Sequence, residues 1–129
     1  MAFRGIPKTM ILADYIASHL STPFKWGAHD CVLFAANWAG VDCVKDFGTW
    51  STAREAAHAI KDAGGLEAAI DARFERVNAN FACDGDIALQ NGTVMIFSGA
   101  HIVGPGENGL IFLSRSKAEI AWSIKCPRQ

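Results

Sequence analysis

The chain has 129 residues, half of them hydrophobic and 19% charged, with a formal net charge of −1. That length holds one domain with a real core, spanning 1–129, and the composition excludes disorder. The near-neutral charge offers no footprint for nucleic acid or an anionic membrane surface. No apolar run approaches the roughly 20 residues of a membrane span.

Residues 1–8 lack the apolar centre of a signal peptide, so synthesis in a cytoplasm is expected. The four cysteines, Cys31, Cys43, Cys83 and Cys126, are scattered without a Cys-x-x-Cys pair. In a reducing compartment they are expected to be free and mostly buried. Neither zinc-ligand spacing nor a phosphate-binding loop is present, so no metal or other cofactor is expected.

In chain order, apolar residues from Ile11 to Leu20 recur on one side of a helix that begins near Lys8, and Pro23 closes it. The run Pro23-Phe24-Lys25-Trp26-Gly27-Ala28-His29-Asp30-Cys31 then reads as a loop delivering a cysteine to a helix start. Asp30 suits the N-cap and Gly40 the C-cap of a helix that begins at Cys31. Its first turn is where a helix dipole stabilises a thiolate. Residues 41–50 read as irregular, with Asp42, Asp46 and Gly48 as turn formers. Thr52 and Glu55 have capping-box spacing ahead of a third helix that Gly64-Gly65 ends. A short fourth helix is expected from about Leu66 to Phe74.

From Gly85 onward the pattern turns to strands. Asp86–Leu89, Thr93–Phe97, Ala100–Val103, Leu110–Leu113 and Ala121–Ile124 are short apolar runs separated by Asn91-Gly92, Ser98-Gly99 and the cluster Gly104–Gly109. Helices followed by an antiparallel meander make the expected class α+β, with the helices packed on one sheet.

These residues carry a resemblance. Trp26-Gly27-x-x-Asp30-Cys31 leading into a helix, with a meander opened by Gly85-Asp86, resembles the NlpC-type cysteine peptidases, small papain-fold enzymes that cleave cell-wall peptides. Phe34-Ala35-Ala36-x-Trp38, Ser51-Thr52-Ala53, Gly64-Gly65-Leu66, Gly109-Leu110 and Ala121-Trp122 extend the likeness to the branch encoded among tail genes of bacteriophages and gene transfer agents. The resemblance implies Cys31 as nucleophile, a histidine opening the strand after Gly-Asp as base, and a polar orienting residue on the next strand. Thr93 stands where that base belongs, and threonine cannot take a proton near neutral pH. His101 falls near the orienting position and is the alternative base if the register shifts; His29 is a weaker candidate.

Two functions follow. The first is a tail-tip or baseplate component of a virion, made in the bacterial cytoplasm, on a scaffold whose hydrolase site is degenerate and whose partners are other tail proteins. The alternative is an active peptidase or amidase that opens peptidoglycan peptides during DNA entry, with Cys31 attacking and His101 as base. The bland alternative for Cys31 is a small buried hydrophobe. His19 and His58 read as helix-surface residues. The tryptophans are expected mostly in the core, with an exposed one near Cys31 available to a partner.

Overall fold

The computed structural model describes residues 11–127. The expected helix start at Lys8 lies outside them, as do the side chains of Cys126 and Pro127. Five α-helices come first: α1 (Leu12–His19), α2 (Cys31–Ala39), α3 (Cys43–Phe47), α4 (Ala53–Asp62) and α5 (Leu66–Asp71). Six strands follow: β1 (Phe74–Val77), β2 (Ile87–Gln90), β3 (Thr93–Ser98), β4 (His101–Gly106), β5 (Gly109–Ser114) and β6 (Ile120–Pro127). The class is α+β.

The helix ends follow from local chemistry. Asp30 caps α2 by accepting the Leu33 amide at 2.9 Å, and Gly40 ends it in the left-handed region at φ 81°. Thr52 accepts the Glu55 amide at 3.1 Å, while the Glu55 carboxylate reaches back to the Ser51 amide at 2.8 Å. The stretch read as irregular holds the short helix α3, capped by Asp42 through the Lys45 amide. Asp42 is therefore a helix cap, a role that a lone aspartate shares with turn formers.

The six strands form one antiparallel sheet in the order β1-β6-β2-β3-β4-β5. This corrects the plain meander: the last strand returns to lie between β1 and β2. The fourth helix also ends earlier than expected, because Phe74 leaves it to open β1 and is buried against the core. Asn91 and Gly92 turn β2 into β3 with φ of 49° and 77°, the mirror-image turn that the dipeptide favours.

Pleat alternation divides the core into two faces. Ile87, Leu89, Val94, Ile96 and Trp122 meet Tyr15, Phe34 and Ala35 on the helical side. Ala88, Met95, Phe97, Ile102 and Ala121 pack with Ala82 on the other. Burying a side chain the size of Phe34 contributes roughly 2–3 kcal/mol, so this layer fixes α2 across the sheet. An apolar cavity of about 70 Å³ remains among α2, α4, α5 and the sheet, lined by Val32, Ala36, Ile60, Leu66, Ile87 and Val94 among others, but not by Cys31.

Arg115 ties three separate segments together. Its guanidinium donates to the carbonyls of Gly99 at 2.8 Å and Ala82 at 2.7 Å, and lies over the Phe97 ring at 4.7 Å. Among the described residues no helix is long and apolar enough to cross a membrane.

Candidate functional site

Asp30 is the centre of the loop that delivers Cys31. It is fully buried, and three donors converge on its carboxylate: the Leu33 amide on Oδ1 at 2.9 Å, then the Gly27 amide at 2.9 Å and the Trp50 indole N–H at 2.7 Å on Oδ2. Each donor is what a buried carboxylate needs to avoid the cost of lost hydration. Gly27 is fixed by the same contact. Its φ is +79°, and an added Cβ would sit 1.8 Å from the Trp50 carbonyl oxygen. Trp50 lies 20 residues from Asp30, and nothing in the sequence marks the pair.

The second half of the signature has the same character. The Trp38 indole donates to the Gly85 carbonyl at 2.9 Å, and a Cβ at Gly85 would meet that ring at 3.2 Å. Asp86 is buried and accepts the amides of Cys83 at 2.8 Å and Ile124 at 3.3 Å. Gly85-Asp86 thereby locks α2 to the sheet and β6 to the turn before β2.

Cys31 occupies the first position of α2, half-buried, its sulfur against the backbone of Val94. Burial pushes the thiol pKa up; the amides of Val94, Val32 and Cys31 oppose this, while the Asp30 charge adds to it. The balance keeps the sulfur protonated, contrary to the lowering expected from the helix dipole alone. No hydrogen bond joins Cys31 to a histidine ring among the described residues.

The two residues matched to base and orienter are not brought to it. Thr93 shares its pleat with Met95 and Phe97, on the face away from α2, whereas Val94 faces the helix. His101 pairs with Ser98, four residues along β3 from Val94, so it stands roughly 13 Å away along the strand direction. It is exposed and sets its edge against Phe112 at 5.9 Å. The β4 residues beside the start of β3 are instead Gly104, Pro105 and Gly106, which carry no titratable group.

His29 was the weaker candidate, and it is the histidine that the loop buries. Its backbone bridges to Lys25, and its ring stacks on His19 at 5.2 Å and 6° and meets the edge of Phe34 at 5.7 Å. Nε2 is buried without a hydrogen-bond partner. Burial first, and His19 beside it, hold its pKa down, with Asp30 opposing. His19 is half-buried and its Nδ1 lies 2.9 Å from the Tyr15 carbonyl, so it is more than a surface residue.

Cys43 is buried, with its thiol pushed up to about 12 by desolvation, and Cys83 is exposed, against the expectation of burial. No three histidine, cysteine or acidic side chains among the described residues are grouped to hold a metal ion. Trp50 and Trp122 are core, whereas Trp26 is 37% exposed with Phe24 edge-on at 4.8 Å.

A protein family described as a domain of unknown function (DUF6950) matches residues 7–124. The chain belongs to this family. No curated protein and no solved structure matches it. The family match covers both halves of the signature, the loop into α2 and the Gly85-Asp86 turn.

Proposed function

We propose that this chain is a structural component of a phage tail tip or baseplate, built on an NlpC-like scaffold whose peptidase site has lost its base. The observation that supports the reading is the state of Cys31. Its thiol is desolvated and held protonated beside a buried aspartate, and no histidine engages it. Activation of a thiol needs a proton acceptor within hydrogen-bond reach, and the strand facing Cys31 supplies backbone alone. The residues that persist from the signature are those with packing roles: Gly27, Asp30, Trp38, Gly85 and Asp86. A fold keeps such residues after its chemistry is gone. On this reading the partners are neighbouring tail proteins, and the chain is carried in the virion after synthesis in the bacterial host.

The test is made on particles. Mass spectrometry of purified virions finds the protein in fixed copy number, and phage carrying Cys31→Ala remain infective. Loss of infectivity with intact assembly, together with cleavage of wall peptides by the wild-type protein, reverses the assignment in favour of a cysteine peptidase.

A further inference from the structure

Protein interiors hold few voids larger than a water molecule, yet the apolar cavity among α2, α4, α5 and the sheet measures about 70 Å³. It lies where the helices present small side chains: Ala36 of α2, Ala59 of α4, Ala63 just past it and Ala69 of α5. A space with such walls stays dry and is filled by apolar groups. The buried Cys43 thiol on the same wall is pushed up to about 12 by desolvation, as dry surroundings require.

Among the described residues, one charged side chain stands on that wall. Arg73 is half-buried, lays its guanidinium over the Phe47 ring at 4.6 Å, and donates to the Ala69 carbonyl at 2.9 Å and to Asp46 at 3.1 Å. Asp46 does not line the cavity. It lines a groove on the outer surface, with Arg54, Glu55, His58 and Asp62. Phe47, Ala59, Ala63, Ala69 and Arg73 line both spaces and so form the partition between them. Of these five, Phe47 and Arg73 have side chains long enough to swing aside. Rotation of those two, with the backbone unchanged, gives entry from solvent.

We propose that this cavity binds a short aliphatic monocarboxylate, with its hydrocarbon tail inside and its carboxylate on Arg73. The apolar wall selects the tail, and the single cation at the partition selects the head. The volume is roughly half that of an apolar cavity that admits benzene, so the tail has about three to four carbons. A guanidinium presents five N–H groups in a fork that suits a carboxylate, and the contacts to Ala69 and Asp46 leave donors for a second one. Asp46 is partly exposed and turns to water as the ligand takes its place, which makes it a competitor for Arg73. This inference does not depend on the fate of Cys31, which is not on the cavity wall.

Titration of the full chain with pentanoate at neutral pH, followed by amide and methyl chemical shifts, tests it. Saturable shifts are expected at Val32, Ala36 and Val94, with a dissociation constant below about 10 mM. Pentan-1-ol, of the same length but uncharged, is expected to bind at least about tenfold more weakly. Arg73→Met keeps an apolar stem over Phe47 and is expected to weaken pentanoate by a similar factor. Asp46→Asn removes the competing carboxylate and is expected to tighten it. Ala36→Leu, or Ala63→Leu where the first does not fold, fills the space and is expected to abolish binding with an unchanged circular dichroism spectrum. A wild-type chain without saturable shifts overturns the proposal. So does equal binding of the alcohol, wild-type affinity in Arg73→Met, or binding that persists in a folded, cavity-filled variant.

Discussion

The two sides of the α2 N-terminus differ in how completely they are built. On the loop side, Gly27, Trp50 and Leu33 satisfy the buried Asp30 with three donors in good geometry. On the sheet side, Cys31 faces Val94 and a stretch of β4 made of glycine and proline, with no acid, base or orienting group. The difference teaches that a loop of this form can be held in place by packing alone. Asp30 and Gly27 are required by the folded state, whereas nothing in the folded state requires a partner for the thiol.

Removing the loop-side carboxylate gives the largest expected effect. Asp30→Ala leaves three donors without an acceptor and is expected to cost about 3–5 kcal/mol, read as a lower urea midpoint. Gly27→Ala comes next, at about 3 kcal/mol, because the new Cβ strikes the Trp50 carbonyl from a strained backbone. If either variant unfolds at the wild-type midpoint, the loop side is not the rigid half.

A smaller effect is expected from the buried ring of His29. Its pKa is held down in the folded state, so the unfolded chain binds the proton more readily. Stability is therefore full above the ordinary histidine pKa of about 6.5 and falls as the pH drops below it. Urea midpoints measured on either side of that pH read the decline, and His29→Gln is expected to flatten it.

The sheet side is expected to give the smallest changes. Alkylation of Cys31 by iodoacetamide is expected to be slower near neutral pH than that of exposed Cys83, and to gain rate only at alkaline pH. Thr93→His is expected to raise the Cys31 rate by less than about twofold, because position 93 projects to the opposite face. A large gain would put the base position back in reach of the thiol and erase the contrast between the two sides.

What the sequence made legible was local. Asp30 and Gly40 mark the ends of α2, and Thr52 with Glu55 marks the start of α4, because a cap is a contact between residues a few positions apart. Asn91-Gly92 marks its hairpin for the same reason. Non-local pairings left no such trace. Trp50 reaches Asp30 across 20 positions, and Trp38 reaches Gly85 across 47. β1 was hidden because four residues containing Glu75 and Arg76 have no strand pattern, and β6 alone gives them a partner. The position of His101 relative to Cys31 depended on the β3–β4 register, which hydrophobic runs do not fix.

The place of β6 in the sheet has a consequence for biosynthesis. β1 is made early, yet its neighbour in the sheet is the strand at residues 120–127, which also borders β2. While the ribosome is still making the intervening residues, β1 and the near side of β2 have nothing to pair with, and the Trp122 site in the core is open. The β2–β5 ladder can close on its own before that moment, because each of its contacts is between consecutive strands. The nascent chain therefore passes through a stage with a finished half-sheet and an exposed apolar slot. Emergence of β6 is therefore expected to be the step that closes the sheet and fills that slot.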